Sequence, residues 1–471
     1  MTLVNLLALS ARKQPKAPAV VCSGLRLSYA ELAASIAAQA RNLKAQGVGE
    51  GDRVAISLPN SIEFMAAYYG AMALGAVAVP FNPGLRFAER ERILNDCEPV
   101  AVVDQSGAVS IVRGSEDHGL FELCSAVDGN ATAAILYTSG STGEPKGVML
   151  SGESLSRNAL AMADAAWAAS GQVHLVTLPL FHSFGATVSM NMPLLTGGCC
   201  VLASRFVPAI VAGLAREFKA AIWAAVPAMY AAMAQADVEA ADLSSLKMCI
   251  SGGASLSSDV RAAFEGNFGV GIFEGYGLTE ASPVVSASRF DDPVVPGSAG
   301  KPLENVEVRL EGLYPDGAGE LWVRAPSLMQ GYWRRPELTA AALVDGWLRT
   351  GDIACIDEQG RLHIVDRVAD VINSAGYKVY PAEVEAVLRT HPAVDECLVV
   401  GEPHPVRGEA VLALVELRSE AGGIGASELM HYCRQAMAAY KVPNRVEIVD
   451  GVPRNDMGKP VRRRVRGGDV R

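Results

Sequence analysis

Up to about residue 360, short apolar runs alternate with amphipathic stretches. Val54–Leu58, Ala76–Val79, Val100–Val103, Ala134–Tyr137, Val173–Leu178, Cys199–Leu202, Ile222–Val226, Met248–Ser251 and Val270–Phe273 each read as a strand. Helical patterns separate most of them. Asn60, with Glu63 three residues on, reads as a capping-box helix start. Strands that alternate with helices pair in parallel and are covered on both faces.

The pattern tightens after about Val306. Val306–Leu310 and Glu320–Val323 are closely spaced strands, and Ile353–Asp357 and Arg361–Val365 flank a Glu358-Gln359-Gly360 turn. A small unit follows: helix Ala382–Arg389, strands Glu396–Val400 and Ala410–Leu417, helix Ser427–Ala439 and strand Arg445–Val449. The main boundary is expected near Asp366–Ala369. No internal repeat or low-complexity tract is visible.

Length and composition add to this. A chain of 471 residues exceeds one ordinary core, so two or three domains are expected. Apolar residues at 50% and charged residues at 20% describe a globular protein. A net charge of −10 argues against a nucleic-acid binder. The tail arginines Arg462, Arg463, Arg464 and Arg466 read as a solvated terminus, with an anion-binding patch as the alternative. Nine scattered cysteines without a CxxC pair suit reduced thiols and a cytoplasmic location. Ala165–Ser204 and Phe64–Leu85 carry no Asp, Glu, Lys or Arg, yet Gly, Pro and His interrupt them, so buried elements are expected rather than membrane spans. No secretory leader is read at the N-terminus.

The densest chemical signal is Tyr137-Thr-Ser-Gly-Ser-Thr-Gly-Glu-Pro-Lys-Gly147. Glycines let backbone N–H groups converge on an anion, the hydroxyls of Thr138, Ser139, Ser141 and Thr142 add donors, and Lys146 supplies a cation for a polyphosphate. The spacing is not that of a Walker loop.

This segment resembles the phosphate-binding signature of the adenylate-forming superfamily, which holds acyl-CoA synthetases, luciferases and peptide-synthetase adenylation domains. Further signatures of that superfamily follow in order: Pro179–Gly185, Gly275–Glu280, Trp347–Asp352, Asp366-Arg367 running to Gly376–Pro381, and Asn455–Lys459. The resemblance implies an α/β fold: a large N-terminal domain of doubly wound sheets with a small β-barrel-like subdomain (1–367), and a small mobile α+β C-terminal domain (368–471). It implies ATP, Mg²⁺ and coenzyme A as cofactors and a small carboxylic acid as substrate. The product of the first step is an acyl-AMP, which then passes its acyl group to a thiol. An acyl carrier protein is the alternative acceptor, and the chain is expected as a monomer or homodimer.

By the same resemblance, Thr138, Ser139, Gly140, Ser141, Thr142, Gly143 and Lys146 cradle phosphate. Glu280 is the metal ligand, Thr279 donates to the α-phosphate, and Tyr276 between Gly275 and Gly277 lies against adenine. Gly253 and Ala254 also border the nucleotide site. Asp352 holds the ribose and Arg367 adds a contact there. Lys459 is the catalytic cation of the first step, and Gly376 meets the thiol in the second. His182 is similar to the family's aromatic-or-histidine gate at the acyl pocket. The aspartate that holds an α-amino group in peptide-synthetase domains is absent, since Phe181 is followed by His182. Ala369 stands where relatives carry an Asp or Lys hinge residue, and Asn373-Ser374-Ala375 replaces a more glycine-rich loop.

Within the superfamily, Leu178–Gly185, Val226–Tyr230 and Ser251–Ser255 most resemble bacterial fatty acyl-CoA synthetases, and the pocket residues this resemblance implies, Phe181, Ser183, Ala186, Ala225, Val226, Gly252, Gly253, Ala254 and Gly277, are small or apolar. A medium or long aliphatic acid is expected, with an aryl acid as the alternative. A non-catalytic ligand-binding relative is disfavoured because Lys146, Glu280 and Lys459 are all retained.

Overall fold

The computed structural model describes residues 2–105, 111–113, 119–139, 145–313, 317–374, 377–404, 408–419, 424–454 and 462. The chain forms two compact units. The first comprises Met1–Val308, Val323–Arg349 and Glu358–Leu362; the second comprises Arg309–Trp322, Thr350–Asp357 and His363–Arg471.

The first unit holds two sheets. One has nine strands in the order Lys301–Pro302, Val284–Ala287, Ile272–Gly277, Met248–Ser251, Ile222–Ala225, Val173–Val176, Cys199–Leu202, Pro18–Cys22 and Leu25–Ser28. Its centre is parallel, as the alternation predicts, and antiparallel strands close both edges. The second sheet has six strands, ordered Gly331–Tyr332, Pro145–Ser151, Thr132–Ser139, Val77–Pro80, Arg53–Ser57 and Ala101–Asp104. Cys199–Leu202, Ile222–Ala225 and Met248–Ser251 are buried at every position, which is why they appear in the sequence as unbroken apolar runs.

The expectation of parallel pairing fails at the phosphate-binding signature. Thr132–Ser139 and Pro145–Ser151 are antiparallel, from Thr132↔Ser151 to Ser139↔Pro145, so the described ends of the signature, Tyr137–Ser139 and Pro145–Gly147, lie on the two paired strands of a β-hairpin. Short connections permit antiparallel pairing where a parallel pair needs a long crossover. The cap at residue 60 also differs. Ser61 is the N-cap of helix Ile62–Ala73, its hydroxyl accepting from Phe64 N at 3.1 Å. Asn60 instead donates to Leu178 O and accepts from Leu180 N, both at 2.8 Å, and so fixes the backbone leading to His182.

The charge-free stretches form buried strands and helices, and among the described residues no helix is long and apolar enough to cross a membrane.

In the second unit, Tyr377–Val379, Ile372–Ser374, Gly408–Leu417 and Val394–His404 form an antiparallel sheet, and Arg445–Val449 joins Gly408–Leu417 in parallel. Helices Pro381–Arg389 and Ala426–Ala436 pack their apolar residues Val384, Leu388, Leu429 and Cys433 into its core. Val368–Asp370 is a single 3₁₀ turn.

The solvated-tail reading fails at Arg462. Its guanidinium lies 2.8 Å from Glu385 and 3.4 Å from Asp370, and it donates to Val399 O at 3.1 Å. Burial pushes the Glu385 carboxyl up, and Arg462 opposes that shift. An ion pair this enclosed leaves a costly unpaired charge if either partner is removed. Arg463, Arg464 and Arg466 lie outside the described residues.

Candidate active site

Strand Ile272–Gly277 carries Tyr276 and ends in the 3₁₀ turn Thr279–Ala281. The flanking glycines answer to the neighbouring strand. A Cβ at Gly277 would fall 2.2 Å from Pro283 O, and one at Gly275 would fall 3.1 Å from Ser286 O. Backbone contact this close admits only hydrogen at Gly277.

The turn is braced from below. Buried Asn158, on helix Gly152–Ala165, donates to Val284 O at 2.7 Å and to Ala281 O at 3.3 Å, and accepts from Val284 N at 3.0 Å. Thr187 Oγ1 donates to Ser282 O at 3.0 Å. The residues that follow Thr279 and Glu280, namely Ala281, Ser282 and Val284, are therefore held by side chains from two separate helices.

Thr279 Oγ1 lies 3.1 Å from Ser183 Oγ. Glu280 is half-buried, and its Oε1 accepts from Tyr332 OH at 2.8 Å. Burial, with the adjoining Glu280 charge, pushes the Tyr332 phenol up, so it stays protonated and donates. The Tyr332 ring also faces Lys146, whose Nζ is 5.3 Å from the ring centroid. One aromatic side chain thus touches the cation of the phosphate-binding hairpin and the carboxylate of the turn.

Tyr332 and its neighbours were not singled out in the sequence. The available signal is Gly331-Tyr332-Trp333-Arg334-Arg335 directly before the Pro-started helix Pro336–Ala342. This strap borders the hairpin. Tyr332 pairs with Val148, and Trp333 N donates to Gly147 O at 2.7 Å. Asp96 fastens both sides of the hairpin base: it accepts from Tyr137 OH at 2.6 Å and from Arg335 at 3.0 Å, while its carbonyl accepts from the Trp333 indole at 3.0 Å.

Magnesium is testable against this donor set. The side-chain partner of Glu280 is the neutral phenol of Tyr332, and among the described residues no group of three or more His, Cys, Asp or Glu could hold a metal alone. One half-buried carboxylate suits a hard cation that takes its remaining oxygens from phosphate and water, which is how Mg²⁺ is usually held. The residues fit.

His182 is half-buried and follows a turn in which its N–H donates to Pro179 O at 3.1 Å. Its Nδ1 accepts from Phe184 N at 3.4 Å, which leaves the ring proton on Nε2. Burial lowers its pKa, so the ring is neutral at pH 7. Gly185 then starts the π-helix Gly185–Asn191. A Cβ on Gly185 would meet Pro179 O at 2.1 Å, so that residue too is fixed by close approach. The Phe184 ring covers Gly252, 3.0 Å from where its Cβ would be. Gly253 has φ +83 and, like Ala254, is exposed, whereas Ala186, Ala225 and Val226 are buried.

Asp352 and Arg367 fall in the second unit and pair with each other, Arg367 Nε lying 3.2 Å from Asp352 Oδ1. Asp352 sits inside strand Trp347–Ile356, and its N–H donates to Thr350 Oγ1 at 3.1 Å. The backbones of Thr138 and Ser139 belong to the hairpin. Gly140, Ser141, Thr142, Gly143, Gly376 and Lys459 lie outside the described residues.

Comparison with known proteins agrees with this geometry. The family described as "AMP-binding enzyme" matches residues 7–333, and "AMP-binding enzyme C-terminal domain" matches residues 383–459. A feruloyl-CoA synthase of Amycolatopsis is 37% identical, covering 97% of this chain and 96% of that protein. A long-chain-fatty-acid–CoA ligase of Bacillus subtilis is 32% identical, covering 98% and 94%. The crystal structure of ATP-bound MatB from Rhodopseudomonas palustris superposes with a TM-score of 0.90 at 31% identity, over 99% of both chains. Fold and site together define an adenylate-forming enzyme. The chain belongs to the AMP-binding enzyme family.

Proposed function

We propose that the chain activates an apolar carboxylic acid, with a medium- or long-chain fatty acid as the favoured substrate. It is an AMP-forming acid–CoA ligase: ATP and the acid give acyl-AMP and pyrophosphate, and the acyl group then passes to CoA with release of AMP. What supports the acid class is the contact of Ser183 with Thr279 and of Phe184 with Gly252, together with the sequence around them. Apart from neutral His182, the proposed lining of Phe181, Ser183, Phe184, Ala186, Val226 and Gly252 carries no ionisable side chain, so a second charged group on the acid would lose its hydration without a partner.

The first step brings a carboxylate to the α-phosphate, so negative charges must be neutralised where they meet. Lys146 and the hairpin backbone take the polyphosphate. Thr279 donates to the α-phosphate, and Ser183 fixes the direction of that hydroxyl. His182 Nε2–H faces the acid as a neutral donor. Asp352 accepts from the ribose, with Arg367 beside it. Glu280 would hold Mg²⁺, which would supply charge neutralisation for the polyphosphate. Lys459 adds a further cation in this step.

The Phe184 ring against the glycine at 252 also favours a second reading, a flat aryl acid. A panel of aliphatic and aryl acids, scored by acid-dependent pyrophosphate release and by CoA thioester, separates the two. Replacing CoA by a phosphopantetheinylated carrier protein tests the alternative acceptor. A cytoplasmic location and a monomer or homodimer complete the proposal.

Chain length is tested at Gly252. Gly253 is a poor probe because its left-handed backbone strains any side chain. Gly252→Val is expected to drive Phe184 into the acyl space and lower kcat/KM for long acids about 10-fold more than for butyrate, since overpacking typically costs about 1–3 kcal/mol. Equal loss at every length would place the acyl route elsewhere.

The division at 367/368 is part of the same proposal, with residues 367–370 as the hinge between two catalytic poses. Ala369→Pro fixes φ near −65° and is expected to slow one half-reaction by about 10-fold more than the other. Rapid-quench rates for the two half-reactions check this; equal slowing would remove the hinge from this turn.

A further inference from the structure

We propose that Tyr332 is a positioning residue for the metal site, setting the orientation of the Glu280 carboxylate and coupling it to Lys146. The inference rests on the nucleotide-site reading above.

A glutamate carboxylate can rotate and offer either oxygen, or both, to a cation. The Tyr332 hydroxyl donates to Oε1 at 2.8 Å. That bond turns the carboxylate to one orientation and leaves Oε2 as the oxygen for a metal. In that bond the phenol is the donor and the carboxylate oxygen the acceptor. Its ring offers the negative π face to Lys146 at 5.3 Å, inside the reach of a cation–π contact. The hydroxyl thus restrains the group that binds the cation, and the ring restrains the cation that binds phosphate.

Tyr332 is itself closely fixed. Its N–H donates to Thr339 Oγ1 at 2.9 Å and it pairs with Val148 of the hairpin. Gly331 has φ +147, and a Cβ there would fall 2.6 Å from Thr339 Cγ2. The strap cannot shift without breaking these contacts, so the phenol is delivered at a set height between hairpin and turn.

The test uses calorimetric binding with neither acid nor CoA present. ATP affinity is measured across a Mg²⁺ series, and AMP affinity without metal, for wild type, Tyr332→Phe and Tyr332→Leu. Tyr332→Phe keeps the ring and is expected to raise the Mg²⁺ midpoint for ATP binding about 10-fold, the lower end for loss of an outer partner to a metal ligand. AMP affinity and thermal midpoint should stay at the wild-type values. Tyr332→Leu should also weaken ATP at saturating Mg²⁺ about 3-fold, since an exposed cation–π contact is worth about 0.5–1 kcal/mol.

In a Glu280→Gln background, Tyr332→Phe should change the Mg²⁺ midpoint no further, and this second comparison isolates the coupling. An unchanged midpoint in Tyr332→Phe, or equal losses for ATP and AMP, would overturn the proposal. A wild-type protein that binds neither nucleotide would instead sink the site reading, and this inference with it.

Discussion

Lys459→Ala is expected to slow acyl-AMP formation by about 10²–10³, the loss typical for one donor aimed at developing charge. Thioester formation from pre-made acyl-AMP should run near the wild-type rate. The argument begins with charge. Negative charge gathers on the phosphorus oxygens as the carboxylate attacks, and a compact ammonium stabilises that state more than it stabilises the separated substrates, which is the condition for catalysis. No such charge builds when a thiol attacks the finished acyl-AMP. Lys459 ends the match to the C-terminal domain family and stands in Asn455-Asp-Met-Gly-Lys459. Both half-reactions are measured on one purified variant. A parallel fall in both, or adenylation at the wild-type rate, would remove Lys459 from the first step.

Glu280→Gln is the second large effect. The substitution keeps shape and removes charge, so the turn held by Asn158 and Thr187 should fold as before. Tyr332 OH can still donate to the amide oxygen. What disappears is the only half-buried carboxylate in the Tyr276–Glu280 segment, and a hard cation binds a neutral amide far less well. Adenylation should fall by about 10³ at 1 mM Mg²⁺, within the range for losing a charged stabiliser. Raising Mg²⁺ should recover part of it. Wild-type pyrophosphate release from a folded variant would remove Glu280 from the site.

Much of this was legible in the sequence, for an identifiable reason. Strands such as Cys199–Leu202, Met248–Ser251 and Arg445–Val449 were read to the residue; the first two are buried on both faces and compress into apolar runs between polar helices. Pro145–Ser151 was hidden because Pro145-Lys146-Gly147 carries loop residues, and the strand forms by pairing with Thr132–Ser139 on one side and Gly331–Tyr332 on the other. At the helix start near residue 60, two capping residues stand side by side, and tertiary contacts chose between them: Leu178 and Leu180 claim Asn60, leaving the cap to Ser61.

The site divides in the same way. Residues within a local signature, such as Thr279 and Glu280, announce themselves by their neighbours. Ser183 lies in a signature, yet its contact with Thr279 spans 96 positions and needs the fold to be seen. Tyr332 meets Glu280 across 52 positions. Arg462 looked like one of several tail arginines, and its contacts with Glu385, Asp370 and Val399 distinguish it. Long-range side-chain pairing leaves no periodic trace in one sequence.

Isotope exchange between pyrophosphate and ATP tests the central claim most directly, because it reports reversible acyl-AMP formation and nothing later. With Mg²⁺ present and CoA absent, exchange should depend on an apolar carboxylic acid, vanish when Mg²⁺ is chelated, and be followed by one CoA thioester per acyl-AMP once CoA is added. Exchange that proceeds equally without any acid, or none across aliphatic and aryl acids with a folded, ATP-binding protein, would contradict it.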